Sequence, residues 1–565
     1  MKSALSTLRV VPLGGLGEIG MNCMAIEYQD EMLIVDCGLL FPDLEEFGID
    51  YVIPAFDYIL ERREKLKAYI ITHGHEDHMG ALCFAFNHGL AAPVYTTEFA
   101  SRLIRQRFDE WGLLDELEIK LMTPGKKVSF KHFQLEPCPV NHSIVEALAI
   151  AIDTPIGKIL HTGDFKIDAE PYFGNTTDLN FFKKLGDEGV LLMLSDSTNV
   201  ERHSDNPSEK TVHDNLLREF TRVQGMTIVT MFSSNVARVG QVFDIARKLG
   251  KKVVLAGRSV DQNVRFAGEL KYIKKAEDIV VPIEAVDDHD RTKMIIIASG
   301  SQGEFRSALR RIAMGEHRYI RIQKGDEVLM SSRFIPGNEL AINRVINELY
   351  RQGAEVLYES SHQIHTSGHA SRPELERMLK AVRPKFFVPI HGEYRHLVHH
   401  GALARECGVA AKNVVVAING SVMELSADAL TVVEQREESG QLIDQSGAIV
   451  PKEVLKQRRK LAENGMVVSA FGIDFEKGRL TLGPRVHSYG ILQEEDGQFL
   501  SEEAVELVED FIKRNRGKLQ PARLLEAIRI ELRRYYFDQT GKRPVTIPVA
   551  IDDRHHSVRQ GGKKE

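Results

Sequence analysis

Ala68-Tyr69-Ile70-Ile71-Thr72-His73-Gly74-His75-Glu76-Asp77-His78-Met79-Gly80 decides how this chain is read. The four apolar residues predict a buried strand. Gly74 lets the chain turn sharply straight after it. Ala81-Leu82-Cys83-Phe84-Ala85-Phe86 predicts a buried helix on the far side. Between strand and helix stand three imidazoles and a carboxylate, free to converge without disturbing a core. Imidazole and carboxylate donors suit zinc or manganese. The bland alternative is a polar turn that happens to be rich in histidine. Further candidate ligands at comparable positions argue against it.

His142 follows Cys138-Pro139-Val140-Asn141 at the end of an expected strand. Asp164 comes just after the apolar Ile159-Leu160, in His161-Thr162-Gly163-Asp164. His391 ends Val388-Pro389-Ile390-His391. Each falls at the carboxyl end of an apolar run, where open α/β sheets gather their ligands. Singly, His142 or His391 reads as an ordinary polar loop residue. Together with the turn they supply the donors of a two-metal site.

This pattern resembles the metallo-β-lactamase superfamily. The resemblance implies that His73, His75 and His142 hold one metal, that Asp77 and His78 hold a second, that Asp164 bridges them, and that His391 is the last metal ligand. His391 lies so far beyond Asp164 that an inserted domain fits between, which resembles the β-CASP nuclease branch. Its further motifs match Asp196 in Leu194-Ser195-Asp196-Ser197, His369 in His365-Thr366-Ser367-Gly368-His369, and His391. The ribonuclease J family resembles the chain most fully, from Val11-Pro12-Leu13-Gly14-Gly15-Leu16-Gly17-Glu18 almost to the C-terminus. Gly257-Arg258-Ser259, Gly300-Ser301-Gln302-Gly303-Glu304 and Ile335-Pro336-Gly337-Asn338-Glu339 belong to that resemblance. Met231-Phe232-Ser233-Ser234-Asn235 and Ser332-Arg333-Phe334 depart from the family's usual forms, which bears on RNA contact rather than on catalysis.

The resemblance implies an α/β fold: a metallo-β-lactamase αββα sandwich, an inserted β-CASP α/β domain and a small α+β C-terminal domain. It implies two divalent ions, zinc or else manganese, that activate water against a phosphodiester. Asp77, Asp164, Asp196 and His369 become the catalytic residues, with His369 as general acid. Ser233, Ser234, Asn235, Arg238, His365, Thr366, Ser367, Gly368 and His369 become the substrate cradle. Without the family, each of these segments is a polar turn. Single-stranded RNA is the implied substrate, degraded 5′ to 3′ with preference for a 5′-monophosphate and with internal cleavage as a second mode. A homodimer or homotetramer through the C-terminal domain, and partners in RNA degradation, are implied likewise. The competing readings are a DNA-processing β-CASP nuclease, a small-molecule metallo-hydrolase and an inactive scaffold. Filled ligand positions disfavour the last.

Composition is compatible. A chain of 565 residues calls for several domains. Its hydrophobic fraction of 43% and charged fraction of 27% are those of a globular protein. The five cysteines form no C-x-x-C pair, which suits a reducing cytoplasm. No apolar run predicts a membrane span, and the N-terminus lacks a signal-peptide core. A net charge of −7 gives RNA binding no independent support.

The metal-binding domain is expected over 1–200 and 371–430, and the insert over 201–370. A linker is expected over 431–450, a C-terminal domain over 451–555 and a disordered tail over 556–565. Within the insert, Pro207-Ser208-Glu209 opens a helix, and Met226–Thr230, Lys252–Leu255 and Met294–Ala298 predict parallel strands. In the C-terminal domain Met466–Phe471, Arg479–Leu482 and Thr546–Ile551 predict strands. Ser501 is the expected cap of one helix, and a second, basic helix runs from Ala522 to about Tyr536.

Overall fold

The strand that delivers the histidine turn, Leu66–Ile70, lies inside an eight-stranded sheet. The structure, a computed structural model, describes residues 7–42, 47–274, 276–335, 338–358, 362–437, 440–475, 477, 479–516 and 518–552. Pro336 and Gly337 of the quoted motif, and the 556–565 tail, lie outside them. Leu66–Ile70 runs parallel to Glu31–Val35 on one side and to Val94–Thr96 on the other. Both of its faces are covered, which is why it reads as a continuous apolar run.

A six-stranded sheet faces the first. Leu33, Val35 and Ile70 from the first sheet share one core with Ile150, Ile159, Leu192, Leu194 and Val388 from the second. Helices Leu179–Glu188 and Arg372–Val382 cover the outer face of the second sheet, with Phe182, Leu185, Met378 and Leu379 packed on Leu160, Met193 and Phe387. This is the expected αββα sandwich. Lys158–His161, Val190–Asp196 and Phe386–Ile390 lie side by side and parallel. Their carboxyl ends therefore bring Asp164, Asp196 and His391 to one edge.

Between Asp196 and His391 the chain builds a separate five-stranded sheet, all parallel: Lys252–Ala256, Met294–Ala298, Thr227–Thr230, Glu327–Met330 and Glu355–Tyr358. Helices cover both faces. Ser208 caps the helix Glu209–Arg222 by accepting from the Thr211 N–H, as its sequence predicts.

The second compact unit comprises residues from 442 onward with the short segment 47–50. Its three-stranded sheet sets Met466–Asp474 between Arg479–Tyr489, antiparallel, and Val545–Asp552, parallel. Helices Glu494–Arg514 and Pro521–Thr540 pack on one face through Ala504, Val508, Ile512, Leu524, Ile528 and Leu532. Among the described residues no helix is long and apolar enough to cross a membrane.

Two local expectations are corrected. Ser501 does not cap a helix; it lies inside Glu494–Arg514, buried, 3.4 Å from the Ser488 hydroxyl. The expected linker from residue 431 is instead an edge strand, Leu430–Gln435, paired with Ser421–Leu425. Its outer residues face solvent, so its polarity is that of an edge and not of a tether.

Candidate metal centre

Four of the histidines, His73, His78, His142 and His391, have their outer nitrogen committed elsewhere. Asp36, just past the strand Glu31–Val35, accepts from the Thr72 N–H at 2.8 Å and from the Thr72 hydroxyl at 2.9 Å. With that hydroxyl proton spent, His73 Nδ1 donates to Thr72 Oγ1, 3.1 Å away. His78 Nδ1 donates to Asp36 Oδ2 at 2.7 Å. His142 Nδ1 donates to the Gly368 carbonyl at 2.7 Å. Thr198 gives its proton to the His391 carbonyl, so His391 Nδ1 donates to Thr198 Oγ1 at 2.6 Å. These partners assign the tautomers. Four Nε2 lone pairs are thereby left facing inward, the pattern of metal-ligating histidine.

The inward atoms fall into two groups. His73 Nε2 and His142 Nε2 lie 3.0 and 3.1 Å from His75 Nδ1. A neutral His75 has one proton at most to give there, so three buried nitrogens meet with too few donors. Donors about 2.0–2.1 Å from one zinc ion would be spaced in about this way. In the second group, His391 Nε2 lies 3.3 Å from Asp77 Oδ2, and His78 Nε2 lies 3.6 Å from the same oxygen. Asp164 Oδ2 stands between the groups: 3.1 Å from His78 Nε2 and 3.4 Å from His391 Nε2, 3.7 Å from His142 Nε2 and 3.8 Å from His73 Nε2. The donor set fits divalent cations, with Asp164 placed to touch both groups.

The electrostatics agree. Burial and neighbouring imidazoles push His73 and His142 well below the ordinary histidine range. Burial also lowers His75, to about 4, against the pull of Asp77. Burial disfavours charge on His391 too, but Asp164, Asp77 and Asp196 lift it to about 9. Carboxylates that draw protons this strongly also draw cations, which compete for the same lone pairs.

On the far side of Asp164 sits a second pair. Asp196 Oδ2 lies 2.9 Å from His369 Nδ1, and its Oδ1 accepts from the Thr198 N–H at 2.9 Å. Burial lowers the His369 imidazolium, but Asp196 and Asp164 outweigh it and hold its pKa above the usual value. All seven sequence-predicted ligands, with Asp196 and His369, thus converge on one edge of the sandwich.

The predicted cradle is less uniform. Ser233 and Ser234 are partly exposed ahead of the helix Val236–Leu249. The Asn235 side chain is spent capping that helix on the Arg238 N–H. Arg238 was expected among the substrate contacts, but its side chain is fully buried and its guanidinium is engaged with Glu209, Ser331 and Ile364. The hydroxyl of Thr366 donates to the Pro207 carbonyl. His365 is buried, and Ser367 Oγ accepts from the His369 N–H. Gly368 brings its backbone against His142: a Cβ there would lie 2.8 Å from the ring.

Sequence reasoning missed Asp36, Thr72, Thr198 and Asn22. Asn22 Nδ2 lies 3.1 Å from His78 Nε2 and donates to the Asp77 carbonyl. The available signal was Val35-Asp36-Cys37-Gly38, a carboxylate directly after an apolar strand in the same sheet as the turn.

Comparison with known proteins covers nearly all of the chain. Residues 16–199 match the metallo-beta-lactamase superfamily. Residues 224–349 match the ribonuclease J beta-CASP domain, and 353–417 the Zn-dependent metallo-hydrolase RNA specificity domain. Residues 453–553 match the ribonuclease J C-terminal domain. Ribonuclease J of Synechocystis sp. is 39% identical over 506 residues, 89% of this chain and 79% of that protein. Ribonuclease J 1 of Streptococcus pyogenes is 36% identical over 552 residues, 97% of this chain and 98% of that protein. A crystal structure of a protein of unknown function from Enterococcus faecalis shares the fold at a TM-score of 0.51 and 16% identity, covering 74% of this chain and all of that one.

Proposed function

The chain belongs to the ribonuclease J family, and from that premise we propose that it removes nucleotides from the 5′ end of single-stranded RNA, favours a 5′-monophosphate, and also cuts internally. It is a metal-dependent ribonuclease of the metallo-β-lactamase superfamily, acting on phosphodiester bonds. The observation that carries the mechanism is the inward convergence of the four Nε2 lone pairs around Asp164, with the Asp196–His369 pair beside them.

His73, His75 and His142 would hold one divalent cation and Asp77, His78 and His391 another, with Asp164 shared. Zinc is the first choice and manganese the second. Bound there, such ions supply the charge that makes water nucleophilic near neutral pH and offset the charge growing on the phosphoryl oxygens. The chain's own residues do the rest. Asp36, Thr72, Thr198 and the Gly368 carbonyl fix which nitrogen of His78, His73, His391 and His142 faces inward. Asp196 holds His369 by Nδ1 and favours its protonated form, so that His369 can give a proton to the departing 3′ oxygen. Such general acid catalysis is worth about 10²–10⁴-fold. Ser233, Ser234 and the backbone of the Ser367–His369 segment are the groups left to hold phosphate. Assembly into a dimer or tetramer through the C-terminal unit belongs to the same proposal.

The test is to incubate metal-loaded protein with 5′-monophosphorylated RNA, 5′-triphosphorylated RNA and a matched DNA strand, and to size the products. Mononucleotides from the monophosphorylated RNA support 5′ exonucleolysis. Discrete fragments from both RNAs point to internal cutting alone. Equal attack on the DNA strand would overturn the RNA reading.

A further inference from the structure

Among the described residues Arg238 is the largest fully buried side chain that carries a charge, with 0% exposure. It sits in the first turn of the helix Val236–Leu249. One arm of the fork, Nη1, donates to Ser331 Oγ at 2.6 Å and to the Ile364 carbonyl at 2.7 Å; Ser331 donates to that same carbonyl. The other arm, Nη2, lies 2.7 Å from Glu209 Oε2. Glu209 in turn is 3.0 Å from Lys166 Nζ, and Lys166 Nζ is 3.1 Å from Asp168 Oδ2. The Glu209 N–H closes the loop onto Asp168, and Gln241 donates to the Glu209 carbonyl.

Two cations and two carboxylates thus balance in the interior, and the balance joins two parts of the site. At one end, Lys166 stands two residues past Asp164, and its N–H donates to the carbonyl of Asn141, the neighbour of His142. At the other end, Ile364 opens the segment that carries His365, Ser367, Gly368 and His369. Stability alone gives no reason for such an arrangement. Buried ion pairs commonly do no better than well-packed apolar side chains of similar volume. A planar fork does supply something that an apolar group lacks, namely a fixed direction and length to three partners at once.

We propose that Arg238 is a positioning residue for RNA cleavage: through Glu209 and Lys166 it sets the backbone at Ile364, and hence the His365–His369 segment, at a fixed distance from the metal-binding histidines. It touches neither substrate nor metal ligand; it governs where the proton donor and the phosphate-holding backbone stand. This rests on the ribonuclease reading above. A misplacement of about 1 Å in such a segment costs about 10²-fold in turnover.

The test compares two reactions of the metal-loaded enzyme. RNA hydrolysis needs a proton donor for the leaving 3′ oxygen, whereas bis-p-nitrophenyl phosphate expels p-nitrophenolate, a stable anion that needs none. Arg238→Met combined with Glu209→Leu removes one charge of each sign and leaves Lys166 paired with Asp168. In this variant the ratio of RNA to small-ester turnover falls at least about tenfold, with metal content and a cooperative thermal transition retained. Arg238→Lys keeps a charge opposite Glu209 but cannot serve Ser331 and Ile364 as a fork, and gives an intermediate loss. An unchanged ratio in both variants overturns the proposal. So does an equal fall of both reactions, or failure of both variants to fold, since the network then only holds the fold together. Wild-type protein that hydrolyses the small ester but not RNA refutes the ribonuclease reading instead.

Discussion

Asp36 Oδ2 lies 2.7 Å from His78 Nδ1, deep in the interior, while the same carboxylate receives both the N–H and the hydroxyl of Thr72. One side chain thereby sets the tautomers of two histidines, His78 directly and His73 through Thr72. Partners of this kind typically account for about 10–100-fold in metal affinity. Asp36→Asn is expected to weaken metal binding by about that factor, read by competitive chelator titration, with the fold retained. Unchanged affinity would show that the tautomers are set by something else.

His369 and the metal ligands differ in a measurable way. His75→Ala and Asp164→Ala are expected to lose metal and hydrolysis together, because each removes an atom from the donor groups. His369→Ala is expected to keep its metal while turnover of RNA falls about 10²–10⁴-fold. Elemental analysis beside single-turnover kinetics separates the two cases. Metal loss in His369→Ala would move that residue into the ligand set.

Gly38 is the residue against which the histidine turn rests. A Cβ built there would lie 1.7 Å from the Asp77 carbonyl oxygen and 2.6 Å from the His78 nitrogen. Backbone cannot yield as a flexible side chain does, and the flanking Cys37 and Leu39 N–H groups bond to the His78 and Glu76 carbonyls. Gly38→Ala is expected to destabilise by about 1–3 kcal/mol and to lower metal content, both measurable by denaturant titration and elemental analysis. Wild-type stability would mean that the turn can shift at no cost.

Acid sensitivity is expected from the interior of the insert. Burial, then Arg238, lower His365 to about 3 from its ordinary 6.5. Burial raises Glu209, but Arg238 and Lys166 outweigh it and bring Glu209 to about 2 from 4.5. Both folded values are depressed, so the unfolded chain binds more protons within each window and stability rises with pH there. The contribution of His365 is full above pH 6.5 and is lost as pH falls toward 3. That of Glu209 is full above pH 4.5 and is lost toward 2. Each group adds a slope of at most about 1.4 kcal/mol per pH unit. His365→Gln is expected to flatten the pH dependence of unfolding free energy between pH 6.5 and 4.5 relative to wild type, measured by urea denaturation of the metal-free protein. Parallel curves would show that His365 is not buried neutral.

The metal centre was legible because its parts are local. Apolar runs followed by glycine or a polar residue mark strand ends, and His73–His78, His142, Asp164, Asp196 and His391 all sit at such ends. Parallel neighbours then carry the ends at Asp164, Asp196 and His391 to one edge. Met294–Ala298 was legible for the same reason: a buried parallel strand announces itself in five residues.

Arg238, Asp36 and Ser501 were not legible, because their meaning lies in partners distant in sequence. Arg238 follows a polar turn and reads as a free cation; only packing shows Glu209, Ser331 and Ile364 around it, 29 to 126 positions away. Asp36 reads as a polar residue after a strand until His78 arrives 42 positions later. The amino-acid order by itself determined which residues could bind metal and roughly where the strands would place them. Tertiary structure alone decided which nitrogen of each histidine faces inward and which charges are spent inside. Those outcomes depend on hydrogen bonds and desolvation between segments, which no local pattern encodes.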